Sequence, residues 1–447
     1  LVFKVDESKP QPMKKLWIIL LIFGALASCR KDSITEIKDT TGFTPGVVYK
    51  LSLQGEVVDP FGVPIPDAQV TFGQNMSISD EDGLFEFKRV EAGSRGTFLK
   101  GTAPAYHEGG IMVYASSSAT RFVRVELNPL EEVGAFTTNS GGTVSLQGGS
   151  TITFPAGNLL DGDNPYNGEV AVFATWLDPT ESSTFNRMPG DLSAITLGGD
   201  RVALETFGMM GVELYGDAGQ KLQPDPHNPV TLSRAVPSEI VVEAPAEIPL
   251  WSFDTENGLW TEEGSATLQG DSYVGQVKHF SWWNCDQPYE PVYVCFQLLH
   301  DGVVPLNNLR IYICAPDINA CGSNTTDPNG IACGWVWKGQ KLNITVYTNC
   351  GSTAGTFMVD PIMNTPNDPI VIPVNLPSDF VFTLEGTVRD CDMMVVEDAL
   401  VSIKHENGRI VVRTDSDGQY SYNGVGCEPG ELLTIQAVDL QNLKSDE

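Results

Sequence analysis

The sequence lacks the motifs by which the common catalytic classes are recognised. It contains no His-Glu-x-x-His metalloprotease motif, no Gly-x-Ser-x-Gly nucleophile turn and no Gly-x-x-x-x-Gly-Lys-[Ser/Thr] phosphate loop. A carboxylate pair for glycoside hydrolysis stays open among the 57 acidic residues, but no pair is singled out. We therefore expect a protein that is not an enzyme and that uses no cofactor.

Basic residues are scarce. The chain has 27 Lys and Arg against 57 Asp and Glu, which gives a formal net charge of −30 at pH 7. Nucleic acids and anionic lipid headgroups are bound by positive surfaces. The charge therefore argues against nucleic acid as a partner and favours a soluble, self-repelling surface.

Clusters of metal ligands are also missing. The five His are scattered singly, and no Cys-x-x-Cys pair occurs. The Asp-rich turns at Asp80, Asp82, Asp415 and Asp417 offer oxygen atoms to Ca²⁺. A calcium site needs about six to eight ligands, however, and the EF-hand pattern with its final Glu is absent. We predict that these aspartates shape turns, and we predict no metal site.

The chain has no apolar run of the roughly 20 residues that a permanent transmembrane helix needs. A shorter run, Leu16–Ala27, follows two lysines and ends in Leu26-Ala27-Ser28-Cys29. These features are typical of a secretory signal peptide. The last four residues resemble a bacterial lipobox, in which the cysteine is acylated. We expect residues 1–28 to be an upstream extension plus signal peptide, and Cys29 to anchor the protein in a membrane; an ordinary signal peptide beside a cysteine is the alternative.

Residues 29–48 are polar and lack apolar periodicity, which predicts a flexible tether. The start Cys29-Arg30-Lys31-Asp32 resembles that of many outer-membrane lipoproteins of Bacteroidetes. That resemblance implies an exported, lipid-anchored protein in the outer membrane or at the cell surface.

The other eight cysteines all lie in the C-terminal part of the chain. An even number in an exported protein predicts up to four disulfides. Connectivity does not follow from sequence, but Cys391 and Cys427 fall in one repeat unit and are the favoured pair. The disulfide candidates are Cys285, Cys295, Cys314, Cys321, Cys333, Cys350, Cys391 and Cys427.

From Tyr49 onward, apolar and polar residues alternate, which predicts β-strands. A pattern of eight positions from Leu53 to Phe72 recurs from Leu384 to Ile403 at one constant offset of 331 residues. A looser copy lies between them, from Val294 onward. The chain therefore contains internal repeats, and short alternating strands of this kind pack as β-sandwiches.

The repeated pattern is Gly-x-Val-x-Asp, then Pro-x-x-Asp-Ala-x-Val-x-Phe, then Asp-x-Asp-Gly-x-Phe. It resembles the carboxypeptidase regulatory-like domain, a transthyretin-like sandwich of seven strands. The resemblance covers about 49–128 and 381–447, and 290–376 less closely. It implies non-catalytic accessory, adhesion or carbohydrate-associated modules.

Residues 130–287 follow a different pattern. Motifs such as Leu204-Glu205-Thr206-Phe207-Gly208 and His279-Phe280-Ser281-Trp282-Trp283 resemble the extracellular segment of cartilage intermediate layer proteins. Trp260 and Trp282 suggest stacking on sugar rings. The alternative is that these indoles close a sandwich with their N–H groups bonded internally.

We therefore predict an all-β chain of tandem β-sandwiches. The predicted parts are a tether over 29–48, a carboxypeptidase regulatory-like sandwich over 49–129, a cartilage-intermediate-layer-like unit over 130–287, a divergent disulfide-containing sandwich over 288–377 and a truncated carboxypeptidase regulatory-like sandwich over 378–447. The favoured function is a non-enzymatic cell-surface lipoprotein that displays binding modules for adhesion or scaffolding, with an extracellular protein or glycan as ligand. The alternatives are a carbohydrate-binding lipoprotein of a polysaccharide-capture system and the accessory half of a hydrolase.

Overall fold

The computed structural model describes residues 46–438, apart from residues 319, 349–350, 378–379, 406–407 and 427–431. The predicted signal peptide, Cys29 and most of the tether lie outside this range. The fold is all-β, as predicted: within the described residues, the helical elements are short, and none is long and apolar enough to cross a membrane. They are α1 (Thr184–Arg187) and 3₁₀ turns at Gln147–Gly149, Val241–Glu243 and Pro316–Ile318.

The first group of strands forms sandwich 1. Its strands are β1 (Val48–Val58), β2 (Gln69–Phe72), β3 (Asn75–Ile78), β4 (Leu84–Gly93), β5 (Thr97–Thr102), β6 (Gly109–Val113) and β7 (Arg121–Glu126). One sheet has the order β4-β1-β7 and the other β3-β2-β5-β6. Alternating residues of both sheets, among them Leu53, Phe72 and Leu99, are fully buried in one core. Their burial supplies the main driving force for the pairing of the two sheets.

The middle unit is one large sheet. Its strands are β8 (Glu132–Thr137), β9 (Gly142–Ser145), β10 (Thr151–Phe154), β11 (Leu159–Asp161), β12 (Asn164–Pro165), β13 (Glu169–Leu177), β14 (Ser193–Ile195), β15 (Arg201–Gly216), β16 (Lys221–Pro224), β17 (Val230–Ala235), β18 (Glu247–Asp254), β19 (Leu259–Gln269), β20 (Ser272–Val277) and β21 (Trp282–Tyr289). Val144 of β9 and Leu159 of β11 lie near opposite ends of the strand order yet share one core. The sheet therefore curls around that core.

Sandwich 2 follows directly. Its strands are β22 (Pro291–His300), β23 (Val304–Pro305), β24 (Arg310–Ala315), β25 (Ala320–Thr325), β26 (Ile331–Trp337), β27 (Leu342–Tyr347), β28 (Thr353–Val359) and β29 (Ile370–Pro373). Sandwich 3 consists of β30 (Val381–Thr387), β31 (Leu400–His405), β32 (Gly408–Arg413), β33 (Gln419–Val425) and β34 (Thr434–Val438).

The internal repeat predicted from sequence is confirmed by strand pairing. In sandwich 1, β1 is antiparallel to β4 and parallel to β7, and β2 lies between β3 and β5. In sandwich 2, β22 pairs in the same way with β26 and β29, and β24 lies between β25 and β27. In sandwich 3, β30 pairs with β33, and β31 lies between β32 and β34.

The Asp-rich turns are turn chemistry, as predicted. Asp80 Oδ1 accepts the backbone N–H groups of Asp82 at 3.0 Å and Leu84 at 2.8 Å. Asp327 and Asp415 hold their own turns through the same two bonds. Such side-chain-to-backbone bonds fix the turn and occupy one oxygen of the carboxylate. No group of three His, Cys, Asp or Glu within the described residues is placed to hold a metal ion.

Candidate functional site

The junction where the units meet is the candidate site, and it contains the two tryptophans predicted to stack on sugars. Trp260 and Trp282 are buried there, with 0% and 3% of their surface exposed. Trp282 Nε1 donates to Glu108 O of sandwich 1 at 3.0 Å, and Trp260 Nε1 donates to Asp191 O at 2.9 Å. Stacking needs an exposed ring face. The stacking prediction is therefore wrong, and the alternative of internally bonded indoles is correct.

Sandwich 1 meets the middle unit through tightly packed rings and glycines. The ring of Phe98 lies edge-on to that of Phe253, with 5.6 Å between centroids. Phe98 also packs on Gly258, where a Cβ would lie 2.3 Å from the ring. Beside them, Gly190 donates its N–H to Gly110 O at 2.8 Å. Only residues without side chains allow the two backbones to approach this closely.

A buried arginine joins sandwich 1 to sandwich 2. Arg121 of β7 is 5% exposed, and its guanidinium donates to Thr325 O at 2.9 Å and to Tyr114 O. Next to it, Ser116 Oγ donates to Asp327 Oδ2. Because Asp327 Oδ1 already fixes its own turn, one carboxylate both shapes sandwich 2 and binds sandwich 1.

Ion pairs connect sandwich 3 to sandwich 1. Lys88 Nζ lies 2.8 Å from Asp398 Oδ2. The Arg413 guanidinium, whose side chain is 8% exposed, pairs with Glu86 of sandwich 1 and with Asp398 of its own sandwich. Two cations and two carboxylates thus alternate across this contact, which is more polar than the contacts of the middle unit.

A buried His–Glu pair lies under Trp282. His107 of sandwich 1 is 2% exposed; its Nδ1 lies 3.6 Å from Glu213 Oε1, and its ring centroid lies 5.3 Å from that of Trp282. Burial alone would raise the pKa of Glu213, but the neighbouring His107 side chain and the charge of Lys221 outweigh it and hold the pKa at about 2. Glu213 is therefore a carboxylate that supports the junction.

The middle unit also buries polar groups inside its own sheet. Asp286 is fully buried, and burial raises its pKa well above the usual range. Asn284 donates an N–H to this carboxyl and accepts from Thr206 Oγ1 at 3.0 Å. Between the two lies Cys285, a free thiol that is 1% exposed and whose pKa burial raises to about 11. A thiol in such surroundings is inert.

Two of the predicted disulfides form, both in sandwich 2. Cys295–Cys333 joins directly opposite residues of β22 and β26, and Cys314–Cys321 joins opposite residues of β24 and β25. Their Cα atoms lie 4.0 and 4.1 Å apart.

The remaining cysteine predictions have different outcomes. A disulfide at Cys285 is a wrong prediction, because this thiol is enclosed in the middle core with no described cysteine bonded to it. Cys391 is exposed and forms no disulfide with a described cysteine. Its predicted partner Cys427 lies outside the described residues, as does Cys350, so the Cys391–Cys427 pair stays a prediction. The same holds for lipidation of Cys29.

Sequence reasoning missed the junction residues Arg121 and Asp327. One signal was available for the arginine. In β7, Arg121 alternates in phase with Val123 and Val125, which are buried. A charge on the buried face of a strand requires a partner. The position of Arg121 in the alternation therefore predicts that it contacts another part of the chain. No comparable signal marks Asp327, since each repeat has an aspartate there.

Comparisons with known proteins support part of the predicted resemblance. Cartilage intermediate layer protein 2 of Homo sapiens is 31% identical over 124 residues, which are 27% of this chain and 10% of that protein. Cartilage intermediate layer protein 1 of Sus scrofa is 34% identical over 103 residues, 22% of this chain and 16% of that protein. The chain therefore spans between a tenth and a sixth of these relatives. No protein-family model matches.

Solved structures with detectable similarity are distant. The shaft pilin SpaA of Lactobacillus rhamnosus GG aligns at a TM-score of 0.18 and 11% identity, covering 34% of this chain and 88% of the pilin. A DUF3823 family protein of Parabacteroides merdae aligns at a TM-score of 0.15 and 9% identity, covering 52% of this chain and 98% of that one.

Proposed function

We propose that this chain is a non-enzymatic surface protein whose β-sandwiches form one rigid scaffold for adhesion. The observation that carries the proposal is a hydrophobic cluster to which every unit contributes, in addition to the units' own cores. It contains Phe98 of sandwich 1, Trp282 of the middle unit, Phe296 of sandwich 2 and Val425 of sandwich 3. Modules on flexible linkers would leave mainly polar surfaces between them. A shared core instead fixes the modules relative to one another.

Buried polar contacts add to this rigidity. Separating sandwich 1 from sandwich 2 would expose Arg121 and break its bond to Thr325 O. A scaffold that resists separation suits a protein that transmits force between a cell and a surface.

The membrane anchor belongs to the same proposal. The signal-like segment before Cys29 supports lipidation of that cysteine and display in the outer membrane or at the cell surface. The carboxypeptidase regulatory-like assignment of the three sandwiches is proposed on their shared strand pairing and their repeated sequence pattern.

The rigidity is tested with Arg121→Gln, and Lys50→Gln is the control. Lys50 is an exposed residue of β1 whose ion-pair partner Glu91 lies in the same sandwich, so both variants remove one positive charge from sandwich 1. We expect Arg121→Gln to speed hydrogen exchange in 323–327 and to enlarge the radius of gyration in solution scattering. Lys50→Gln should leave both unchanged. Equal behaviour of the two variants would contradict a rigid scaffold.

Adhesion is tested on cells that express the full chain or the Cys29→Ser variant. Attachment to wells coated with collagen, fibronectin or mucin is compared with uncoated wells. We expect the full chain to raise attachment to at least one coating, and Cys29→Ser to abolish the gain while releasing the protein into the medium. No gain on any coating would count against adhesion; an equal gain from both variants would count against the lipid anchor.

A further inference from the structure

One edge of sandwich 2 has no partner strand. β28 spans seven residues, Thr353–Val359, and lies at the end of the strand order β25-β24-β27-β28. In the part of the chain that the structure describes, β27 is the one strand that pairs with β28. The N–H and C=O groups along the other side of β28 are therefore available to pair with a further strand.

The corresponding edge of sandwich 1 is covered. β6 holds the same position there, because it pairs with β5 as β28 pairs with β27. Gly190 of the middle unit donates its N–H to Gly110 O at 2.8 Å and forms a bridge with Ile111. The middle unit thus protects β6, whereas no described strand protects β28.

β28 also lacks the features that usually keep an exposed edge from pairing. Such edges are commonly short, or they carry charged residues and proline. Residues 342–359, which span β27 and β28, contain neither a charged residue nor a proline, although 19% of the whole chain is charged. One register shift, opposite Val346 and Tyr347, disturbs only the N-terminal end of β28. The regular part, 355–359, has the length of an ordinary strand.

We propose that β28 pairs with β28 of a second copy of this chain, with the two strands antiparallel. Two identical strands paired in this way are related by a two-fold axis. The pairing would join two four-stranded sheets into one sheet. The proposal goes beyond the scaffold function, since a rigid chain can act alone or in pairs.

Charge favours a second copy as the partner. A basic or an acidic partner would find no charged side chain on β28 with which to pair, whereas a copy matches one uncharged strand with another. The antiparallel orientation also places the two copies of Asp360 at opposite ends of the paired strands. A parallel pair would bring these carboxylates side by side, where they would repel each other. Met358, which is 75% exposed, would gain apolar contacts in the pair.

The pairing should be weak. A single pair of strand edges buries less than the roughly 1,000 Å² of a stable interface, and two chains of net charge −30 repel each other. We expect half of the chains to be paired at about 0.1 mM. Chains that are anchored in one membrane through Cys29, as proposed above, would meet at a higher effective concentration than chains in solution.

The test is sedimentation equilibrium of the full chain with Cys29→Ser, so that no lipid contributes to association. The average mass should rise from that of one chain toward that of two as the concentration rises to about 1 mM. Higher salt should favour the pair, because it screens the repulsion between the acidic chains. Hydrogen exchange in 353–359 should slow over the same range of concentration, whereas exchange in 75–78 should not change.

Thr356→Lys is the main variant. Thr356 is exposed near the centre of β28, and its two copies would lie opposite or diagonal to each other, within about 8 Å. Two lysines there should weaken the pairing at least about tenfold, and Thr356→Glu should do the same. An equimolar mixture of Thr356→Lys and Thr356→Glu should restore the pairing, because unlike charges then face each other. Met76→Lys is the control, since Met76 is an exposed residue of β3, which ends a sheet of sandwich 1.

Each result has a defined meaning. A chain that stays monomeric up to about 1 mM would overturn the proposal and leave the edge for a strand of a different protein. A pair that Thr356→Lys and Met76→Lys weaken alike, or that the mixture fails to restore, forms elsewhere and would equally overturn it. Because hydrogen exchange is measured without a substitution in β28, the location of the interface does not depend on how these variants fold.

Discussion

Each Asp-rich turn ends in a glycine whose replacement should unfold its sandwich locally. Gly83 has φ +74°, and the equivalent Gly330 and Gly418 have φ +73° and +69°. A Cβ on Gly83 would lie 2.5 Å from Val57 O, a backbone atom that cannot rotate away. Gly83→Ala is therefore strained both in its own dihedral angle and against the neighbouring strand.

The cost follows from the bonds involved. Left-handed backbone costs an alanine about 1 kcal/mol. Moving the turn away from β1 would also weaken the bonds from Val57 N to Gly83 O at 2.8 Å and from Ile65 N to Val57 O at 2.9 Å. At about 1 kcal/mol each, the total for Gly83→Ala is about 3 kcal/mol.

Gly73→Ala is the matched control. Gly73 lies in the same sandwich with φ +58°, and nothing lies within 4 Å of its would-be Cβ. Only the dihedral strain applies there, so the cost should be about 1 kcal/mol. Because both glycines belong to sandwich 1, the two variants report on the same unfolding unit.

Hydrogen exchange is the right assay, because residues 49–129 contain no tryptophan, and the fluorescence of Trp282 and Trp335 would report on sandwich 1 only through their contacts with it. A difference of about 2 kcal/mol corresponds to roughly thirtyfold faster exchange in 51–57 when exchange proceeds through unfolding of the sandwich. Equal exchange in Gly83→Ala and Gly73→Ala would show that the contact with Val57 O is not what requires glycine.

Two further predictions concern the middle unit and sandwich 2. Burial raises the pKa of Glu205 to about 7 from 4.5. Because the folded protein then binds this proton more tightly than the unfolded chain, the free energy of unfolding should fall as the pH rises from 4.5 to 7. Between about pH 4.5 and pH 8, the free energy of unfolding of Glu205→Gln, measured with denaturant, should therefore rise relative to that of the parent by on the order of 2 kcal/mol. If the difference in unfolding free energy between Glu205→Gln and the parent did not change with pH, Glu205 would not be protonated in the folded protein at low pH. Replacing the Cys295–Cys333 disulfide by alanines should cost about 4 kcal/mol, and replacing the Cys314–Cys321 disulfide about 2, because their sequence separations are 38 and 7. Fluorescence of the two tryptophans in β26 follows this unfolding, and the opposite order of costs would contradict the loop-entropy account.

Sequence predicted the repeated sandwiches well because their determinants are local. Alternation in β1, the aspartate at Asp80 and the glycine at Gly83 each fix a nearby part of the chain. Every copy repeats them, so the pattern is visible without any knowledge of tertiary contacts. The disulfide pairs were not predictable in the same way, since opposite positions in β22 and β26 depend on register and not on spacing.

The residues of the junction were hidden because their partners are distant in sequence. Arg121 and Thr325 are 204 residues apart, and Arg95 and Trp335 are 240 residues apart. No local sequence pattern predicts contacts between residues so far apart in the chain. Cys285 was misjudged for a related reason: in β21, five successive residues are buried, so alternation gives no hint of which face a side chain occupies.

Strand β21 explains how one aromatic motif serves rigidity instead of sugar binding. Successive side chains of a strand point to opposite faces. Trp283 accordingly lies in the core of the middle unit, and Trp282 lies in the core shared with the sandwiches. Two adjacent indoles thus connect both cores, and each donates its N–H to a backbone carbonyl, His279 O for Trp283 and Glu108 O for Trp282. A ligand that needs an aromatic surface would therefore have to find it elsewhere than at Trp282 and Trp283.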